Sequence, residues 1–375
     1  MSRTAPPVRA LIVHGGARLG GSETWLARVL PAARNLETRV VLLSAGPFSG
    51  MLESLSVEVE VIPTSRSARD LAHLTRHLAR LARQWPADVI VADGVKAATL
   101  AVAAGALARV PVIWLKHDHA YDRTLGWLLA RVVRAMAGTS AELVAAAGRP
   151  QATVLPVPRP PRVPASEADA ERHWRARGLD LDRRPIAVFV GRLVPSKGVE
   201  DAIRALATDA ASSWHLVVVG DDDASAPGER RRLETVAATT GVADRVSWAG
   251  EVSDAGEWLA AFDAVVVPTA RDRHIAGEGF GLVVLEGLLA GVPVAASAGI
   301  PALGLADGAA VAFRPESPDD LGRALAATRA CTDAARRRGE ELRRDYPDAD
   351  TVAAVFVKLV AAAARGDRTE AGGQR

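Results

Sequence analysis

Ile186-Ala187-Val188-Phe189-Val190-Gly191-Arg192-Leu193-Val194-Pro195-Ser196-Lys197-Gly198 runs from an unbroken apolar segment, through a turn bounded by glycines, to the start of a helical pattern. Five apolar residues in a row, three of them β-branched, suit a strand buried on both faces, as in a parallel sheet. From 199 to 207 the apolar side chains recur at helical spacing. A strand that feeds a helix through a short turn is half of a βαβ unit, and parallel strands need such a helical crossover.

The alternation extends in both directions. Before the linker, strands are expected at 10–14, 39–44, 57–62, 88–92 and 111–116, with helices at 22–34, 68–84, 95–108 and 121–137. Residues 156–164 then place five prolines in nine positions, which neither a helix nor a central strand accepts. After them come strands at 186–190, 215–219, 246–249, 264–267, 294–296 and 309–313. Helices are expected at 199–207, 228–240, 255–262 and 282–290, and, after a long helical stretch, a last one at 349–364. The fold class read from this is α/β: two doubly wound, Rossmann-like domains over 1–160 and 161–348, and a C-terminal segment, 349–375. Ligands of such sheets bind beyond the carboxyl ends of the strands, so a cleft there is the expected site.

Composition narrows the function. The 375 residues, 49% apolar and 24% charged, are enough for two cores of a globular protein. Cys331 is the only cysteine, which fits a reducing cytosol better than a disulfide framework. No leader is read at the start, and the apolar windows fall short of the roughly 20 residues that cross a bilayer. The expected location is therefore cytoplasmic, with peripheral contact at the inner membrane face left open. Residues 1–160 hold 19 Lys and Arg against 11 Asp and Glu, a surplus of eight positive charges, while 161–375 hold 27 against 33. A basic half points to an anionic partner. Much of the surplus lies in Arg66, Arg69, Arg76, Arg80 and Arg83, interleaved with Leu71, Leu74, Leu78 and Leu81 at helical spacing. That pattern fits a solvated face of an amphipathic helix or a contact with an anionic membrane or acceptor. Nucleic acid is disfavoured, because aromatic residues are 4% of the chain and do not interleave with the basic ones.

The chemistry concentrates in Gly277-Glu278-Gly279-Phe280-Gly281-Leu282-Val283-Val284-Leu285-Glu286-Gly287-Leu288-Leu289-Ala290-Gly291-Val292-Pro293-Val294. A glycine-rich turn carries one carboxylate into a short apolar helix that carries the second. Two acceptor-only carboxylates around a helix N-terminus suit a ligand with hydroxyls at both ends and phosphate between them, as in a nucleotide sugar. Arg192 and Lys197, at a strand-to-helix turn, add a fork and a point charge able to clamp a diphosphate.

The glutamate run resembles the E-x7-E signature of the retaining glycosyltransferases of family 4, also known as glycosyl transferases group 1, which have the two-domain GT-B fold; the resemblance implies that the C-terminal helix, in 349–375, crosses back to the first domain. The resemblance is specific over 186–296 and looser over 1–160. It implies that Glu278 contacts donor-sugar hydroxyls and Glu286 the ribose, with the amides of Phe280, Gly281 and Leu282 at sugar and diphosphate and Gly279 also beside the donor. The turn Gly191 to Gly198 matches the family's G-R-x-x-x-x-K-G motif, which implies that Arg192 and Lys197 neutralise the leaving nucleoside diphosphate. Gly220-Asp221 and Gly250-Glu251-Val252 fall where relatives hold ribose and base. Gly20-Gly21-Ser22-Glu23 looks like the family's first loop, beside donor phosphate and acceptor; for Ser22 and Glu23 a tight turn with a helix cap is an equal reading. In Lys116-His117-Asp118-His119, His117 matches the family's histidine and His119 competes with it. Lys116 and Arg123 add charge for an anionic acceptor, and Ser140 reads as a helix cap. Relatives commonly carry Pro-Asn-Gly before the hinge, where this chain has Leu155-Pro156-Val157-Pro158.

The expected activity is metal-independent transfer of a sugar, with retention, from a nucleoside diphosphate donor to an acceptor hydroxyl on a glycolipid, cell-surface glycan or natural product. The donor serves as co-substrate and no separate cofactor is expected. Alternatives are a nucleotide-sugar epimerase or phosphorylase of similar fold, and a catalytically silent sugar-nucleotide binding protein.

Overall fold

The computed structural model describes residues 6–16, 20–64, 67–119, 121–122, 124–182, 185–270 and 278–366. The chain divides into two compact units, Met1–Pro158 with Pro347–Arg375, and Arg159–Tyr346.

The first unit opens with β1 (Val8–His14), α1 (Gly21–Val29), β2 (Leu36–Leu42), α2 (Pro47–Ser54), β3 (Glu58–Val61) and α3 (Ala68–Gln84). It continues with β4 (Val89–Asp93), α4 (Val95–Ala108), β5 (Val112–Lys116), α5 (Leu125–Val132), β6 (Ala135–Gly138), α6 (Ala141–Ala146) and β7 (Thr153–Val154). Its seven strands lie in the order β3-β2-β1-β4-β5-β6-β7, all parallel. The order reverses between β1 and β4, where His14 stands opposite Asp93. Every residue of β4 and β5 is buried, as strands covered on both faces require.

The second unit contains α7 (Glu167–Arg175), β8 (Ile186–Val190), α8 (Val199–Ala205), β9 (His215–Val219), α9 (Glu229–Thr239), β10 (Val246–Gly250) and β11 (Ala264–Val267). It ends with α10 (Leu282–Leu289), β12 (Val294–Ser297), β13 (Ala310–Phe313), α11 (Pro318–Thr328) and α12 (Thr332–Asp345). Its parallel sheet has the order β10-β9-β8-β11-β12-β13. Side chains alternate along each strand: Ile186 and Val188 pack on the face covered by α7, α10 and α12, while Ala187 and Phe189 pack under α8, α9 and α11. The final helix, α13 (Ala349–Ala364), belongs to the first unit, where Phe356 meets Trp25 edge to face at 5.5 Å.

Where elements differ from expectation, a neighbour supplies the reason. The expected helix over 22–34 stops at Val29 and passes into a single tight turn, Leu30–Ala32, because Pro31 cannot donate to the preceding turn. The helix expected at 121–137 covers only Leu125–Val132. Beyond it Arg149 donates to the carbonyls of Ala130 and Val133, and Met136 pairs with Trp114 of β5, so the chain finishes as a strand. The segment 255–262 is a 3-10 helix, Ala255–Ala261. Helices α2, α6 and α7 and strands β6 and β7 are additional to the expected set. Ser140 caps α6 through its hydroxyl, which accepts from Leu143 N. In the 155–164 segment, the carbonyls of Pro156 and Pro158 accept from Trp25 Nε1 and Arg28 Nη1 of α1.

Candidate active site

In the second unit the site begins with two glycines. β8 and β9 end at Gly191 and Gly220, and a Cβ on Gly220 would lie 1.8 Å from the Gly191 carbonyl oxygen. Gly220 also has φ of +147°, so this turn admits only glycine without distortion. The loop after β8 is then clamped from both sides. Leu193 N donates to Asp221 O at 3.0 Å, and Ala270 N, beyond β11, donates to Ser196 O at 2.9 Å. Gly198 closes the loop at φ +69°, against the Pro268 carbonyl.

That scaffold fixes two cations. Arg192 Nη1 lies 3.0 Å from Oδ2 of Asp223, whose carboxylate is buried, while the Arg192 side chain remains half exposed. Lys197 Nζ is paired with Oε1 of Glu278, and Thr269 Oγ1 donates to the same oxygen at 3.4 Å. The glutamate and lysine that the resemblance implies for sugar and phosphate therefore meet each other, beside the strands where the sheet order reverses. Glu278 leads through Gly281, at φ +96°, into the N-terminus of α10. The first amides of a helix lack partners within it and favour an anion. Glu286, on α10, is partly buried with its carboxylate against Gly256, where a Cβ would come within 2.6 Å of Glu286 Cδ.

The three aspartates after Gly220 divide their work. Asp222 accepts from Gly228 N and Arg230 N, each at 2.7 Å, and so caps α9; Asp223 holds Arg192 and Ser225. Asp221 is exposed beside them, as is Glu251, whereas Val252 packs against the core.

In the first unit four ionisable side chains form a chain at the strand ends. Glu23 Oε1 lies 2.8 Å from His14 Nε2, His14 Nδ1 lies 3.4 Å from Asp93 Oδ2, and Asp93 Oδ1 lies 3.1 Å from His117 Nε2. Burial alone would disfavour the charged form of His14, but Asp93 and Glu23 outweigh it and push its pKa up to about 10. Burial likewise opposes charge on Asp93, and the two histidines overcome it, holding its carboxyl well below the usual range. Trp25 sets its ring edge to face with His117 at 5.9 Å.

Several expectations change here. Lys116 is fully buried, with Nζ 2.5 Å from Asp122 Oδ1 and 5.2 Å from the centre of the Trp114 ring, so it holds the turn and does not present its charge to an acceptor. His119 Nδ1 bonds the other oxygen of Asp122 at 2.8 Å, in the same brace. Ser22 does not cap α1; Gly20 holds the cap position, and the Ser22 hydroxyl donates to Glu23 Oε2. The Glu23 carboxylate fills the glycine turn itself, since a Cβ on Gly16 or Gly20 would come within 2.5 or 2.9 Å of its oxygens. Gly20 thus cradles a carboxylate of the chain, and exposed Gly21 begins the helix. Arg123 lies outside the described residues. His14 and Asp93 belong to no motif, and the one signal in the sequence is that each is a polar residue ending an apolar strand.

Residues 184–329 match the family described as glycosyl transferases group 1, and residues 20–152 match the glycosyl transferase 4-like domain. The chain belongs to the group 1 glycosyltransferases. Among its relatives, the D-inositol 3-phosphate glycosyltransferase of Acidothermus cellulolyticus is 37% identical over 135 residues, 34% of this chain and 29% of that one. The 2-deoxystreptamine glucosyltransferase of Streptomyces kanamyceticus is 30% identical over 256 residues, 60% of this chain and 63% of that one. The lipopolysaccharide core biosynthesis mannosyltransferase LpsB of Rhizobium meliloti is 28% identical over 288 residues, 75% and 74% of the two chains. The matches thus span from under a third to about three quarters of these relatives' lengths. Anabaena Alr3699/HepE in complex with UDP-glucose superposes with a TM-score of 0.80 at 21% identity, over 94% of this chain and 99% of that one. WaaG, a glycosyltransferase involved in lipopolysaccharide biosynthesis, gives 0.67 at 18%, over 94% and 99%. These likenesses give the family's fold, GT-B. The first match includes Arg192, Lys197, Glu278 and Glu286, and the second includes Glu23, Asp93 and His117.

Proposed function

We propose that the chain transfers a sugar, with retention, from a nucleoside diphosphate donor to an acceptor hydroxyl, using no metal or further cofactor. The observation that carries this is the pairing of Lys197, from the loop after β8, with Glu278, which leads into the α10 N-terminus, while Arg192 of the same loop is held by Asp223 beyond Gly220. Each cation rests on a carboxylate of the chain, Arg192 on Asp223 and Lys197 on Glu278. An arriving diphosphate draws Lys197 and Arg192 onto its oxygens, and Glu278, released, accepts from sugar hydroxyls. Glu286 holds the ribose, while Asp221, Glu251 and Val252 stand near it and the base. As the glycosidic bond breaks, negative charge grows on the leaving phosphate, which Arg192, Lys197 and the helix amides stabilise. That phosphate oxygen takes the acceptor's proton on the side where the new bond forms, which gives retention. His117, its Nε2 on Asp93, offers its other nitrogen to a sugar or acceptor hydroxyl.

The donor named with the Anabaena relative makes UDP-glucose the first to try. Acceptors worth testing carry the chemistry named for the relatives: an aminocyclitol, an inositol phosphate and a lipopolysaccharide core. In an assay of donor consumption with and without acceptor, Glu278→Gln and Lys197→Ala are each expected to lower kcat/KM about 100-fold or more, with melting temperatures held. Full activity in either variant rejects the assignment. Donor turnover equally fast without acceptor would favour an epimerase or phosphorylase.

A further inference from the structure

We infer that the outward face of α5 is a docking surface for an anionic lipid bilayer. The inference does not depend on the sugar-transfer reading, and its test needs no substrate. Among the described residues, eleven large apolar side chains are exposed, and four of them lie within one stretch: Tyr121 (66%), Trp127 (47%), Leu128 (52%) and Val132 (54%). Trp127, Leu128, Arg131 and Val132 recur at spacings of three and four, which places them on one side of the helix. Gly126, Leu129 and Ala130 occupy the other side and are buried. The outward face is therefore apolar while the helix is already anchored by its inward one.

Charge decides the occupant. No Asp or Glu occurs between Asp122 and Glu142, and Arg131 and Arg134 lie in that interval. The Arg131 guanidinium stacks 3.4 Å from the centre of the Trp127 ring, and that ring rests over Gly148, where a Cβ would come within 3.2 Å. An indole and a cation are thus assembled side by side before any partner arrives. Tryptophan and tyrosine favour the headgroup level of a bilayer, and arginine favours anionic lipid. The surplus of eight positive charges in residues 1–160 adds attraction of the same sign.

Helix α3 offers the instructive contrast. It carries more arginines than α5, yet Leu74, Leu78 and Leu81 are buried in the core, so its exposed face is charged without an apolar part to insert. Helix α5, of eight residues, is far too short to cross a membrane; it can only lie in the interface. It also follows directly on the turn that carries His117, with Gly126 N donating to Tyr121 O at 2.9 Å.

The full chain is to be sedimented with vesicles of phosphatidylcholine alone and of phosphatidylcholine with about 30% phosphatidylglycerol. Binding is expected to the anionic vesicles, weakening about tenfold between roughly 0.1 and 0.5 M salt. The variant Trp127→Glu/Leu128→Glu is expected to lose binding at least tenfold, and Leu128→Asp, the milder change, about fivefold. Arg76→Gln/Arg80→Gln on α3 is expected to change it less than about twofold. Circular dichroism melts of each variant check folding. Failure of the wild-type chain to bind either vesicle overturns the inference, as does equal binding by well-folded α5 variants. Self-association in sedimentation equilibrium that the α5 double variant abolishes would also overturn it, by assigning the face to a second copy of the chain.

Discussion

At the scale of single residues, the site is built from contacts that leave no slack. Gly220 combines φ of +147° with a carbonyl 1.8 Å from where a Cβ would stand, so Gly220→Ala must move the Gly191 backbone. It is expected to cost about 2–4 kcal/mol in urea denaturation, and an unchanged midpoint would contradict the close approach. The buried histidine makes a second claim. With its pKa raised from 6.5 to about 10, His14 lends stability that is complete below pH 6.5 and is lost as pH rises through 10. Asp93, shifted the other way, lends stability above the ordinary carboxylate range and loses it on acidification. Between pH 7 and 10, the unfolding free energy of wild type should therefore fall more steeply than that of His14→Gln. Parallel curves in urea titrations across that range would show that the ion pairs lend nothing. Glu278 and Lys197 were both readable as site residues, but their pairing was not, because it depends on loops more than 80 positions apart coming together.

At the scale of elements, local signals set the interior of each strand and helix, and tertiary contacts set the ends. α3, α4 and α13 fall where periodicity places them, since each has one continuous stripe or run of apolar residues and a clear stop. The segment 121–137 shows the opposite case: its pattern is compatible with one long helix, and only pairing with β5 turns its last part into β6. The Arg-rich face of α3 and the apolar face of α5 exchange significance for the same reason. Burial of the α3 leucines against the sheet decides which helix has an apolar surface left over. Asp222 shows a charged triplet resolved by an element: its carboxylate caps α9. Asp222→Ala should lower stability by about 1 kcal/mol, measured by thermal melting, while Asp221→Ala, exposed, should leave it within about 0.5 kcal/mol.

At the scale of the whole molecule, each unit is a parallel sheet whose reversal of strand order gathers the polar residues at one edge. The last helix completes the first unit, burying Val352, Phe356, Leu359 and Val360. At roughly 1.5–3 kcal/mol for each such side chain, these four contribute on the scale of a domain's whole stability of about 5–15 kcal/mol. A chain ending at Tyr346 is accordingly expected to melt in two steps, with the first unit lost well below the second; a single transition at the wild-type temperature would deny α13 that role. By itself the sequence determined the alternation of strands and helices, the proline break between two series of them, and the residues of the Glu278, Arg192 and Lys197 motifs. These are properties of short windows, where side-chain period and turn chemistry act without distant help. Only the tertiary structure decided that Asp93 links His14 to His117, that Lys116 is a buried brace, and that Glu23 occupies the glycine turn. It did so because strand order, which no short window encodes, chooses which strand ends become neighbours and which charges must then answer one another out of water.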